Sequence, residues 1–231
     1  MYDDIMSVHG KHVVLTGGSN GIGLALATLF ASEGARVQSL DIAAPEKDID
    51  GVTHVHCDIS NLNDVRAALA QAGGTIDFLI LNAGVIRRGP ILSHPDNEFD
   101  LVFNVNAKGT WLMLKEGMPL LSKNATILYV SSYRAGQAPN DPGLYAVSKA
   151  AGEHLVRCAT ADHPNVTTKI AQIGNADTAM ARYDLTQEAL DQKKDRMRPT
   201  EDIATMLLQF VSSDKHTLSY DPRTDQYAFG A

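Results

Sequence analysis

The chain has little from which to build a covalent framework. Two cysteines stand in 231 residues, too few for a disulfide scaffold. Cys57 ends a predicted strand and Cys158 lies in a predicted helix, and both read as small buried hydrophobes rather than reactive thiols. Positive charge is also scarce. Twenty Lys and Arg against 27 Asp and Glu leave a formal net charge of -7, which argues against non-specific nucleic-acid or anionic-membrane binding. No apolar run reaches the roughly 18 residues that suggest a membrane span. Residues 1–10 hold two aspartates and no apolar stretch, so no secretory leader is expected and a cytoplasmic location is the default. His54 and His56 alternate on a predicted strand, with no carboxylate or cysteine completing a ligand set, so no metal site is expected.

What is present is alternation. Short apolar strands at His12–Leu15, Arg36–Leu40, Thr53–Cys57, Ile76–Leu81, Thr126–Val130 and Val166–Ile173 are separated by stretches of helical spacing. Leu24, Leu26, Leu29 and Phe30 mark a first helix that Gly34 stops. A second helix is expected over about 61–71, a long one over about 99–122, and another over about 143–162, ended by His163-Pro164. The link from Ile42 to Val52 contains Pro45 and little helical pattern, so that crossover helix is expected to be short or absent. This order predicts an α/β fold: one domain over residues 1–231, a doubly wound parallel sheet of Rossmann-like type with helices on both faces. Its ligand crevice is expected beyond the carboxyl ends of the strands.

The first strand runs into Thr16-Gly17-Gly18-Ser19-Asn20-Gly21-Ile22-Gly23. Glycines let a backbone approach a pyrophosphate closely, and the helix start after them offers free N–H groups. The spacing is Gly-x-x-x-Gly-x-Gly, not the general dinucleotide fingerprint, so the turn gains its meaning from an acid at the end of the second strand. That acid is Asp41, eighteen residues after Gly23. A carboxylate there can accept from both adenosine ribose hydroxyls and repels a 2′-phosphate. Ile42 and Asn20 supply no basic group, so NAD is expected over NADP. Asp58, with Ile59 next to it, can accept from the adenine amino group or cap the next helix. Asn82-Ala83-Gly84 ends the fourth strand with small residues against which the ribose can lie.

Tyr145 and Lys149 are four apart and share a helix face, and Ser132 lies thirteen residues before the tyrosine. Free tyrosine, with a pKa of about 10, is a poor base at neutral pH. An ammonium about 4 Å away contributes ~4 kcal/mol, about three pKa units, and would bring the phenol near neutrality. Lys149 can also hold the hydroxyls of the nicotinamide ribose. The Ser132 hydroxyl can bond a developing alkoxide. Asn106, inside the long predicted helix, disturbs helix bonding there, and its amide can bind a water that connects Lys149 to solvent.

With these motifs in place, the chain resembles a classical short-chain dehydrogenase/reductase over roughly residues 12–214. The resemblance implies a catalytic tetrad of Asn106, Ser132, Tyr145 and Lys149, a phosphate turn with Gly17, Gly21 and Gly23, and a cofactor-contacting Asn82-Ala83-Gly84 element. It further implies NAD-dependent interconversion of a secondary alcohol and a ketone, and assembly as a homodimer or homotetramer. Two departures stand out. The family's Pro-Gly-x-x-x-Thr after the sixth strand is Ile173-Gly174-Asn175-Ala176-Asp177-Thr178, which keeps Gly174 and Thr178 for the nicotinamide amide. The end of the chain, from Thr217, is polar, so the last strand is expected to be weak or remodelled.

The segment at about 177–198, where the family covers its substrate, is polar and charged, which argues for a small polar substrate. Arg87, Arg88 and Arg134 lie close after the motifs, and one pointing into the crevice would favour a carboxylate. Two other readings use the same fold. A non-catalytic NAD-sensing regulator is expected to carry a broken tetrad, and a sugar epimerase a larger C-terminal part.

Overall fold

The computed structural model describes residues 8–138 and 142–230, the side chain at 196 excepted. The N-terminal reading on leader segments falls largely on residues 1–7 and so lies outside the described residues. Eight strands form one sheet in the order β3-β2-β1-β4-β5-β6-β7-β8. They are β1 (His12–Thr16), β2 (Arg36–Asp41), β3 (Val52–His56), β4 (Ile76–Leu81), β5 (Leu121–Ser132), β6 (Thr167–Ile173), β7 (Thr217–Asp221) and β8 (Gln226–Gly230). β1 to β7 pair in parallel, and β8 pairs antiparallel with β7 at the edge.

Strand alternation sends successive side chains to two cores. Val13 and Leu15 of β1 join one cluster, and Val14 joins the other. The first core is closed by α1 (Gly21–Ser32) and α8 (Thr200–Ser212), which pack on each other through Leu26, Phe30, Leu207 and Phe210. The Phe30 and Phe78 rings meet there at 5.7 Å. Each such fully buried ring contributes about 1.5–3 kcal/mol. The second core lies under α2 (Leu62–Ala70), α4 (Thr110–Gly117) and α5 (Gly143–Thr160), through Val65, Leu69, Met113 and Val156. The link 42–51 carries no helix. Among the described residues no helix is long and apolar enough to cross a membrane.

Three expectations need correcting, and the remodelling expected at the end of the chain takes a definite form. The long helix is broken: α3 (Asp96–Phe103) passes through a π-helical turn, Asn104–Gly109, into α4. β5 begins at Leu121, which pairs with Ile76 before a register shift in β4. The polar tail folds as the β7–β8 hairpin, so the sheet gains an antiparallel edge. Cys57 is buried, with its thiol pushed up to about 12 by desolvation, whereas Cys158 is exposed on α5.

Candidate active site

Strand order reverses between β1 and β4, and there a cavity of about 600 Å³ opens along the carboxyl edge of the sheet. Its floor is the turn from β1 to α1. Gly17 takes φ +72°, and a Cβ on it would lie 2.8 Å from the Ala83 Cα. A Cβ on Gly23 would collide with the Gly17 carbonyl. Asn82 stitches this contact: its Nδ2 donates to the carbonyls of Thr16 at 3.1 Å and Gly17 at 3.0 Å. The Thr16 hydroxyl accepts the Asn82 and Ala83 N–H groups at 3.1 Å each. No side chain caps α1 at Asn20, so its first N–H groups remain available to an anion. A glycine cradle under an uncapped helix start fits a pyrophosphate.

The end of the cavity beside β2 and β3 is acidic. Asp41 is fixed there by the N–H groups of Ser19 at 3.0 Å and Ala43 at 3.1 Å. The Asp58 carboxylate accepts both the N–H and the hydroxyl of Ser60, at 2.9 and 2.7 Å. It does not cap α2; Asn61 does, through Oδ1. Asp58 and Ile59 therefore stay on the crevice wall.

The other end is built by β5 and α5. Ser132, Tyr145 and Lys149 all line the cavity. The Lys149 Nζ is buried and donates to the Val130 carbonyl at 2.9 Å, which leaves two of its three protons for other acceptors. Burial pulls this ammonium down to about 8, against the attraction of Glu153. Glu153 is held in turn by the Ser131 hydroxyl at 2.6 Å and the Gln172 amide at 3.0 Å. Burial pushes the Tyr145 phenol up to about 12; a hydrogen bond with Ser132 and the charges of Arg134 and Arg88 draw it part of the way back. The expectation that Lys149 would make this phenol acidic near neutrality is thus corrected: burial outweighs the cations that oppose it, which are arginines.

Asn106 is fully buried behind the wall. Its Oδ1 accepts the Val85 N–H at 2.8 Å, and its Nδ2 donates to the Val85 carbonyl and the Ser148 hydroxyl, both at 2.9 Å. Both amide protons are spent on a clamp between the exit of β4 and α5, so an amide-bound water would have to donate to the second lone pair of Oδ1. Asn106 lies within the π turn Asn104–Gly109, so the clamp and the break in the helix coincide.

Most sequence-predicted contact residues converge on the cavity: Gly17, Asn20, Gly21, Ile22, Asn82, Ala83, Gly84, Gly174 and Thr178 all line it. Ser19 and Gly23 stand behind it instead. The Ser19 polar groups are turned to Asp41 and Ala43, and Gly23 is packed on Gly17. Thr178 also caps the short α6 (Ala179–Arg182) by accepting the Ala181 N–H at 3.1 Å. Arg88 and Arg134 line the cavity, whereas Arg87 lies over the Tyr183 ring and pairs with Glu98 at 3.7 Å. Sequence reasoning missed Thr16, Ser148, Glu153 and Tyr227. Of these Ser148, one turn from Tyr145, and Glu153, four residues past Lys149 on the same helix, gave a usable spacing signal.

Comparison with known proteins agrees with this fold. The family model described as short chain dehydrogenase matches residues 11–189. The oxidoreductase UcpA of Salmonella typhimurium is 34% identical over 189 residues, which cover 74% of this chain and 72% of that protein. Among solved structures, the ligand-free aldohexose dehydrogenase of Thermoplasma acidophilum superposes with a TM-score of 0.79 at 25% identity, covering 89% of this chain and 88% of that one. A short chain dehydrogenase from Burkholderia cenocepacia in complex with NADP gives 0.82 at 25% identity, covering 96% and 92%.

Proposed function

Because this chain belongs to the short-chain dehydrogenase family, we propose that it is an NAD-dependent oxidoreductase that interconverts a secondary alcohol and a ketone on a small polar substrate. The observation that carries this reading is the convergence of Tyr145, Ser132 and Lys149 on one end of a crevice whose other end holds Asp41. When bound, the nicotinamide supplies hydride exchange with the carbon bearing the oxygen.

The protein's own residues do the rest. Gly17, Asn20, Gly21 and Ile22, with the first N–H groups of α1, receive the pyrophosphate. Asp41 accepts from the adenosine ribose hydroxyls, and Asp58 with Ile59 bounds the adenine. The Asp41 carboxylate, with no lining cation beside it among the described residues, favours NAD over NADP. Asn82, Ala83 and Gly84 give the ribose a flat backbone to lie on. Gly174 and Thr178, which line the cavity, would hold the nicotinamide amide. Lys149, oriented by the Val130 carbonyl, donates its remaining protons to the second ribose. Tyr145 Oη gives its proton to the substrate oxygen in reduction and takes it back in oxidation. Ser132 is aligned by the Arg134 N–H at 3.2 Å and donates to the same oxygen. Asn106 positions this group from behind. The segment 177–198 covers the substrate, one domain serving both binding and catalysis.

The test is a screen of small alcohols and ketones, read by NADH absorbance, with Tyr145→Phe as the control. The variant is expected to lose about 10²–10⁴ in kcat while still binding NADH. Equal turnover by the variant would end the assignment.

A further inference from the structure

Behind the crevice wall, α5 lies on β5 over Tyr129 and Ser131. The Tyr129 ring fits there because Gly152 has no side chain; a Cβ on it would collide with the Tyr129 hydroxyl. The next residue, Glu153, reaches past that ring into the sheet. Its carboxylate accepts the Ser131 hydroxyl at 2.6 Å and the Gln172 amide at 3.0 Å. Ser131 and Gln172 are register partners on β5 and β6, so one carboxylate ties α5 to two strands. We propose that Glu153 is a positioning residue for the reaction: it holds the segment of β5 that carries Val130 and Ser132 against α5, and fixes a counter-charge one helical turn from Lys149.

Glu153 does not line the crevice, so it acts through its neighbours rather than on a ligand. Ser131 is buried between the two residues that matter most on β5. On one side the Val130 carbonyl accepts the Lys149 Nζ at 2.9 Å, and on the other stands the Ser132 hydroxyl. A carboxylate that fixes Ser131 therefore sets both. Lys149 is itself buried, and a desolvated ammonium keeps its charge only with compensation from nearby groups. From β5 the Tyr129 ring stands 5.2 Å from Nζ, and from α5 the Tyr145 ring stands at 5.9 Å. The exit of β4 approaches with Gly84, where the Asn106 amide, a neutral group, also meets it. β6 turns the neutral Gln172 towards Glu153. Burial raises both phenols, so both keep their protons at neutral pH. The negative charge that acts on Lys149 is Glu153. Two donors hold that carboxylate in its charged form and in one place.

This inference rests on the dehydrogenase reading, and the experiment separates the two. The titration of Lys149 is followed by NMR of protein labelled with ¹³C at the lysine ε-carbons, with Lys149→Met assigning the signal. NADH affinity is measured by fluorescence on the same proteins at about pH 6.5 and pH 9. Glu153→Gln keeps the size and an oxygen that can accept from Ser131, and removes only the charge. It is expected to lower the Lys149 midpoint by about half a pH unit or more. Lys149 then loses its proton earlier as pH rises. The wild type is therefore expected to bind NADH about as well as the variant at the lower pH, and about three-fold or more tightly at the higher one. Glu153→Asp, which restores the charge, is expected to bring the midpoint back towards that of the wild type. An unmoved midpoint in Glu153→Gln, or an affinity ratio that is the same at both pH values, would overturn the proposal while leaving the dehydrogenase reading intact. So would an aspartate variant shifted as far as the glutamine one. A lowered midpoint in a protein that binds no NADH would support the coupling of Glu153 to Lys149 and count against the dehydrogenase reading.

Discussion

Tyr145 and Lys149 each sit where burial opposes their charged form. The phenol is raised to about 12 and the ammonium lowered to about 8. Tyr145 thus holds its proton through the neutral range, the form that ketone reduction uses. Alcohol oxidation needs the phenolate, whose fraction grows about ten-fold per pH unit below the pKa. Reduction is therefore expected to be flat through neutral pH and oxidation to climb steeply across it, with the positive charge of an oxidised nicotinamide moving that limb to lower pH. Initial rates in both directions against pH check this; an oxidation rate independent of pH between neutrality and the alkaline range would contradict it. At the same scale, the tyrosine, lysine and serine were legible because helix spacing and strand ends are written in sequence. Ser148 and Asn106 were not legible in role, because their bonds to each other and to Val85 cross from one element to another.

At the scale of elements, the β7–β8 hairpin braces the loop after β6, where the chain has Ile173 in place of a proline. The Gly174 N–H donates to the Tyr227 hydroxyl at 2.8 Å, and the Tyr220 ring packs so closely that a Cβ on Gly174 would lie 2.8 Å from it. Tyr133, Tyr220 and Tyr227 form a chain of rings with centroids 5.2 and 5.0 Å apart. The Tyr220 hydroxyl donates to Asp225 at 2.8 Å and closes the hairpin turn. Tyr227→Phe leaves a Gly174 N–H without its acceptor, so it is expected to cost about 1–2 kcal/mol in urea unfolding and to raise the KM for NADH several-fold. An unchanged KM would mean that the hairpin does not position this loop. The hairpin was missed although Leu218 and Tyr220 on β7 and Tyr227 and Phe229 on β8 alternate with polar or small residues, because five-residue strands give that period little length to stand out. The break between α3 and α4 was hidden because helical spacing continues across it. By contrast β1, β4 and α2 were plain, since apolar period and a capping asparagine mark them locally.

At the scale of the whole molecule, the order of the strands decides where everything meets. Parallel pairing from β1 to β7 directs the carboxyl end of each strand to one edge, and the reversal between β1 and β4 opens the crevice there. The lining carboxylates Asp41 and Asp58 both stand at the end of that crevice beside β2 and β3. An acidic adenosine end is expected to favour the dinucleotide without a 2′-phosphate. Fluorescence titration of the wild-type protein with NADH and NADPH, repeated on Asp41→Ala, measures this most directly. NADH is expected to bind at least about ten-fold more tightly than NADPH, and the variant to lose that margin. Tighter binding of NADPH by the wild type, or no binding of either, would contradict the account.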